Sequence, residues 1–220
     1  MVEGLRGWWI APAAALALFG SVSGQDLADY DYENLSLRGI GVEAGVIFPN
    51  RLESAVSLHL RFDLGDLGPG FRLSPTLSYW RSDFKASEVT ELEDRLEQLI
   101  VQNEPGASPT VDLGVLRWSD LILGLDGQYV WRSGSDFEAF IGTGVGTHVM
   151  NGEGPAIEGT FVEDLLDRVT IGVNGHAGLA FTVAPGLRVG GQLRYEVLDD
   201  LSYPEIRIGG VYSVGGGPQG

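Results

Sequence analysis

The chain has no cysteine and a single lysine, Lys85. The first absence excludes disulfide frameworks and thiolate-held zinc or iron–sulfur sites. With 14 basic residues against 30 acidic ones and a net charge of −16, the basic face of a nucleic-acid binder is missing too. Long apolar runs are scarce. The one near the amino terminus, Trp8 to Phe19, breaks at Gly20-Ser21, short of the roughly 20 residues a membrane-crossing helix needs. Apolar residues as a class are not scarce: 44% of the chain is hydrophobic and 10% aromatic, too much for a disordered protein. Glycine is plentiful, at 33 of 220 residues.

Arg6, the apolar run and the small residues Ser21-Val22-Ser23-Gly24 have the order of a secretory signal, with cleavage before Gln25. Residues 1–24 are therefore assigned as signal peptide. Residues 25–35 are assigned as an acidic, mobile lead-in carrying Asp26, Asp29, Asp31 and Glu33, 36–214 as one domain, and 215–220 as a tail.

Within 36–214 the dominant period is two. Val56, Leu58, Leu60, Phe62 and Leu64 alternate with Ser57, His59, Arg61 and Asp63. Leu187, Val189, Leu193, Tyr195 and Val197 alternate with Arg188, Gln192, Arg194 and Glu196. Such alternation marks strands with one apolar face. Eight segments show it: about 36–48, 55–64, 70–83, 118–132, 136–149, 168–183, 187–198 and 204–214. Tight turns at 65–69, 133–135 and 184–186 follow the second, fourth and sixth. Long connections, 84–117 and 149–167, follow the third and fifth, and by parity the links near Asn50-Arg51 and Asp199-Asp200 lie at their end. The fold class expected is all-β, an eight-stranded antiparallel up-and-down barrel. Thr90-Glu91-Leu92-Glu93 and Thr160-Phe161-Val162-Glu163 have capping-box form, so each long loop is predicted to carry a short helix over a barrel mouth.

Alternation does not say which face is inside. A soluble barrel buries its apolar face and a membrane barrel its polar one. Three features of the strands, beside the export signal, favour the membrane case. The polar face carries Gly39, Gly41, Gly45, Gly142, Gly144, Gly146, Gly172, Gly178, Gly190 and Gly209, which make room inside a narrow barrel. Its charges nearly balance, Arg61, Arg72, Arg188, Arg194 and Arg207 against Glu43, Asp63, Asp126, Glu138, Glu196 and Glu205, as a closed interior requires. Aromatics of the apolar face gather at strand ends: Phe62, Phe71, Tyr129, Trp131, Phe137, Phe181 and Tyr212 at one, Phe48, Tyr79 and Tyr195 at the other. Two girdles around an aliphatic band suit the two interfaces of a bilayer.

In these features the chain resembles the small bacterial outer-membrane β-barrel families of the OmpA transmembrane domain, OmpX and OmpW. The resemblance covers about 36–214 and is architectural. It implies residence in the bacterial outer membrane, periplasmic termini and turns, and outward-facing long loops. It also implies a monomer whose partners are outer-membrane lipids, lipopolysaccharide and the barrel assembly machinery. Two departures stand out. The aromatic end usual in those families is replaced by Tyr212, Val214 and a Gly-Gly-Gly-Pro-Gln-Gly tail. Pro75 falls inside the third strand, where a bulge is expected.

Chemistry is thin. Eight strands enclose only room for side chains, so a plugged polar interior and a structural or surface-interaction role are expected, with a narrow path for small or apolar solutes as a variant. No residue is assigned as catalytic, cofactor-binding or metal-binding, and no cofactor is expected. The alternatives are an outer-membrane lipid hydrolase built on His148 and a soluble periplasmic ligand-binding barrel. His148 has Thr147, Val149 and Met150 as neighbours and no serine beside it, so an interior hydrogen-bonding role is the expectation. His59 and His176 are placed in a polar network with Arg61, Asn174 and Glu196. Gly142-Thr-Gly-Val-Gly and Gly39-Ile-Gly-Val alternate as strands and open no helix, which argues against a phosphate cradle.

Overall fold

A computed structural model describes residues 31–134 and 136–214. The proposed signal, most of the lead-in and the tail lie outside the described residues. Eight long strands form: β1 (Gly39–Ile47), β2 (Ala55–Asp63), β4 (Phe71–Asp83), β5 (Arg117–Ser133), β6 (Phe137–Glu153), β7 (Arg168–Ala184), β8 (Leu187–Val197) and β9 (Ser202–Ser213). A stub, β3 (Asp66–Gly68), lies within the expected tight turn and folds back on β4. Every pairing is antiparallel, each long strand pairs with the next, and β1 pairs with β9, so the sheet closes.

The registers give the stagger of the closure. From Glu43, directly paired residues run through His59, Ser78 and Ile122 to His148 in one direction. In the other they run through Gly209, Gly190 and Ala180 to Glu138. The two arrivals are ten residues apart on β6, so the shear is ten. For eight strands such a shear corresponds to a tilt of roughly 40° and an interior that side chains fill. An even shear also keeps each residue's inward or outward sense all the way round, which a one-residue slip would reverse.

The aliphatic face points out. Val42, Val56, Leu58, Leu123, Ile141, Val145, Ile171, Leu193 and Ile208 are all exposed, whereas Ser57, His59, Arg61, Asp126, Gln128, His176, Arg194 and Glu205 are buried. A water-soluble barrel would invert this pattern, so the reading as a soluble periplasmic barrel is overturned. The alternation itself is what bends the chain into this form, because strands with one polar and one apolar face bury the polar one only by closing on themselves.

Three local expectations are corrected. Pro75 makes no bulge against β5: pairing there runs unshifted from Phe71–Tyr129 to Asp83–Arg117. The missing N–H is felt on the other side, where pairing with β2 stops at Arg61–Thr76 and resumes only with the bond from Leu64 N to Leu73 O. The helix in the first long loop, α1 (Ala86–Asn103), starts four residues before the Thr90 box, with Lys85 as its N-cap. Residues 31–35 are tied down: Asp31 N donates to Leu67 O, and a 3-10 turn spans Tyr32–Asn34. The second helix, α2 (Phe161–Leu166), starts where its box predicts. Thr160 accepts from Val162 N, and Glu163 reaches back to Gly159 N at 2.6 Å.

Candidate functional site: a charged lumen under an apolar plug

The lumen is layered. In its turn-end half, Arg72 donates to Glu138 at 3.0 Å, and Arg188 bridges Asp63 at 2.5 Å and Glu138 at 2.7 Å. Arg61 lies 3.0 Å from Glu43. At mid-height Arg194 joins Asp126 and Glu196, both at 2.9 Å, while Arg207 lies 2.6 Å from Glu205. All five predicted arginines and all six predicted carboxylates are thus paired, as charges removed from water must be. One pairing does not follow the strand register. Glu205, directly across from Arg194 in register, turns instead to Arg207, Ser57 and His59, and Asp126 takes its place.

The inward glycines provide the space for these side chains. A Cβ on Gly45 would stand 2.6 Å from both Glu205 Oε1 and Ser57 Oγ, and one on Gly142 would stand 2.6 Å from His176 Nε2. What space remains is small. A cavity of about 40 Å³ lies in the turn-end half, lined by Glu43, Arg61, Asp63, Arg188, Gln192 and Arg207 among others. That is room for water and little else.

The histidines separate. His176 contacts Asn174 Oδ1 at 2.8 Å, as predicted, and Gln128 Nε2 at 3.0 Å. His59 lies outside that group, between Ser78 Oγ (2.7 Å), Ser57 Oγ (2.9 Å) and Glu205 (2.8 Å). His148 is fully buried, with Nδ1 2.7 Å from Asp120 Oδ2 and Nε2 3.6 Å from Glu196 Oε1. Among the described residues its polar partners are these two carboxylates and no serine, so a hydrolase's nucleophile is missing from its described surroundings. His59 has serines and a glutamate, but Ser57, Ser78 and Glu205 are sealed in the barrel wall with it.

The loop end of the lumen is apolar, which corrects the expectation of a wholly polar interior. Ile47, Trp80, Trp118, Ile122, Met150 and Tyr203 point inward there and pack with Leu52, Leu198 and Leu201 from the links. Trp80 and Tyr203 meet edge to face with centroids 6.0 Å apart. A second cluster of Leu96, Leu113, Leu116, Ile157 and Val162 lies on the first, and Phe84 and Leu166 pack against both. Asp120 and these inward apolar residues were not picked out from sequence. Their signal was present: in β4, Trp80 shares parity with Arg72, Ser74, Thr76 and Ser78.

The loop-end helices are fastened to this plug. Glu88 accepts from Arg51 Nε at 2.7 Å, and Lys85 Nζ donates to the carbonyls of Pro49 and Asn50. Glu93 and Glu97 accept from the backbone of Leu113 and Val111 at 2.8 and 3.0 Å. Trp118 Nε1 donates to Leu166 O at 3.0 Å, and Asp167 accepts from Gly152 N at 2.8 Å.

No family model matches the chain, and no curated protein matches it in sequence. Solved structures match in fold. Neisserial surface protein A superposes with a TM-score of 0.52 at 12% identity, over 81% of this chain and 98% of that one. A major outer membrane protein from Thermus thermophilus gives 0.44 at 15% identity, over 81% and 100%. The N-terminal barrel domain of Pseudomonas aeruginosa OprF gives 0.42 at 10% identity, over 80% and 98%. Identities this low carry the fold alone, and the first of the three carries it. The chain therefore has the fold of the eight-stranded bacterial outer-membrane β-barrels, with its charged side chains paired inside and its apolar ones turned outward.

Proposed function

We propose that the protein is a resident of the bacterial outer membrane that acts through its loop-end surface, as a structural or surface-interaction component, and not as an enzyme or a wide pore. The observation that carries this reading is the double closure of the lumen, by paired charges at mid-height and by the Ile47–Trp80–Ile122–Tyr203 plug above them. A path for solute would have to part both. Among the described residues, the part that rises above the strands is the platform of α1, α2 and the segments they hold. Fastened to the plug as it is, that platform is a rigid surface suited to recognition. A hydrolase built on His148 has no support, because its Asp120 and Glu196 neighbours supply acids without a nucleophile. The reading is tested by planar-bilayer recordings of the refolded full chain, which are expected to show no large, stable conductance. A steady porin-like current would overturn it.

A further inference from the structure

The outward aromatics at the loop end do not encircle the barrel. Phe48 follows β1, Tyr79 is on β4 and Tyr195 on β8. The uppermost outward apolar residues of the arc between them are the aliphatic Leu121 on β5, Val149 on β6 and Val169 on β7, which are paired in one row. Above them come the polar Ser119 and Asn151. This three-strand gap in the girdle is where α2 lies, against β6 and one residue before β7.

The pattern of α2 is that of an interfacial helix. Val162 is buried and Leu166 packs against both apolar clusters, while Phe161 and Leu165 stand 62% and 66% exposed. At 100° per residue these four form one continuous apolar arc, with Glu163 and Asp164 on the opposite side. Half of that arc packs against the apolar clusters and half stands mostly exposed among the described residues. The helix is not loose: Thr160 caps it, Asp167 and the Leu166 carbonyl tie its end, and Arg168 lies over the Trp118 ring. Phe161 and Leu165 are therefore held exposed by a fixed backbone. In the chain they come just before Val169 and Ile171, which stand exposed on the outward face of β7.

We infer that α2 lies in the outer boundary of the bilayer, with Phe161 and Leu165 inserted among the lipids to complete the loop-end girdle over β5–β7. Aromatic and aliphatic side chains at the headgroup level anchor a barrel vertically, and an amphipathic helix in that plane buries its apolar half between headgroups and acyl chains. The inference rests on the membrane reading above.

Because the chain has no cysteine, single Leu165→Cys, Val173→Cys and Leu99→Cys variants each give one labelling site on the full chain. Each is labelled with an environment-sensitive fluorophore and refolded into phosphatidylcholine vesicles carrying nitroxide lipids, labelled either near the headgroup or deep in the acyl chain. The Leu165 label is expected to lose most of its emission to the shallow nitroxide and to resist aqueous iodide. The Val173 label, in the middle of the band, responds to the deep nitroxide, and the Leu99 label, on α1, to iodide. If Leu165 behaves like Leu99, α2 faces water and the inference fails while the barrel reading stands. If Val173 is also quenched by iodide, the membrane reading itself fails. Shielding of Leu165 that disappears on dilution in lipid, with an oxidised Leu165→Cys dimer forming at high protein density, would assign the face to a second copy and overturn the lipid assignment.

Discussion

Arg194 stands between two carboxylates that have no other arginine or lysine within reach of a short bond among the described residues. Its guanidinium holds Asp126 and Glu196, all three side chains at most 4% exposed. Substituting Arg194→Leu keeps the bulk, strands Asp126 and leaves Glu196 only His148, 3.6 Å away, a change worth about 3–5 kcal/mol. Arg95→Leu removes only the pair with Glu91 one helical turn away, on side chains more than half exposed, worth about 0–1 kcal/mol. Denaturant midpoints in micelles are expected to fall for the first variant and hardly move for the second. Equal shifts would mean that the Arg194 pairs are solvated. Parity along a strand was enough to place Arg194 inside, because in a two-residue repeat every second side chain shares a face. Its partner was not legible. Glu205 is its direct neighbour in register, but Asp126 reaches it from β5, across the lumen. Which residues meet across a barrel depends on strand tilt and stagger, and these are properties of the closed sheet that no single strand encodes.

At the scale of elements, the strands were readable to within a few residues and the helices less so. The strand signal is a long alternation bounded by Gly and Pro turns, such as Ala184-Pro185-Gly186, where Gly186 takes a φ of +77°. The helix signal was a four-residue box. It located α2, whose Thr160 and Glu163 do the capping, and misplaced the start of α1, where Lys85 precedes the first turn without a side-chain cap. The start of α1 is instead fixed from outside, through Arg51–Glu88 and the Lys85 bonds to the β1–β2 link. This tertiary anchoring bears on where the exposed loop can be cut. Trypsin added to cells carrying the protein is expected to cleave after Arg95, whose side chain is exposed on α1, and to spare Lys85, whose amine is engaged. Cleavage should be slow, since α1 must first open locally. Mass spectrometry of the released peptides reads the position. Cuts confined to Arg132 and Arg188, at the turn end, would mean the opposite orientation in the membrane.

Closure distinguishes the whole molecule from the sum of its hairpins. Each long strand pairs on both sides, β1 with β9 included, so no edge offers unpaired backbone groups at which detergent can begin to separate the sheet. In an apolar surrounding every broken ladder bond costs several times its value in water, which makes partial opening unfavourable and unfolding all-or-none. The seam with the least continuous pairing is β2–β4, registered only from Ser57–Trp80 to Arg61–Thr76 and interrupted below by Pro75. Its inner side is braced where Arg72 of β4 lies 3.8 Å from Asp63 of β2 and where Ser78 of β4 meets His59 of β2. The folded chain is therefore expected to survive mild SDS and to migrate faster unheated than after boiling, because the compact barrel binds less detergent than the extended chain. A Pro75→Ala variant supplies the missing N–H on that seam. Its conversion to the slow form is expected at a higher temperature than that of the parent, as read from gels across a heating series. Identical mobility of the parent before and after boiling would count against closure. An unchanged conversion temperature for Pro75→Ala would show that opening begins at another seam.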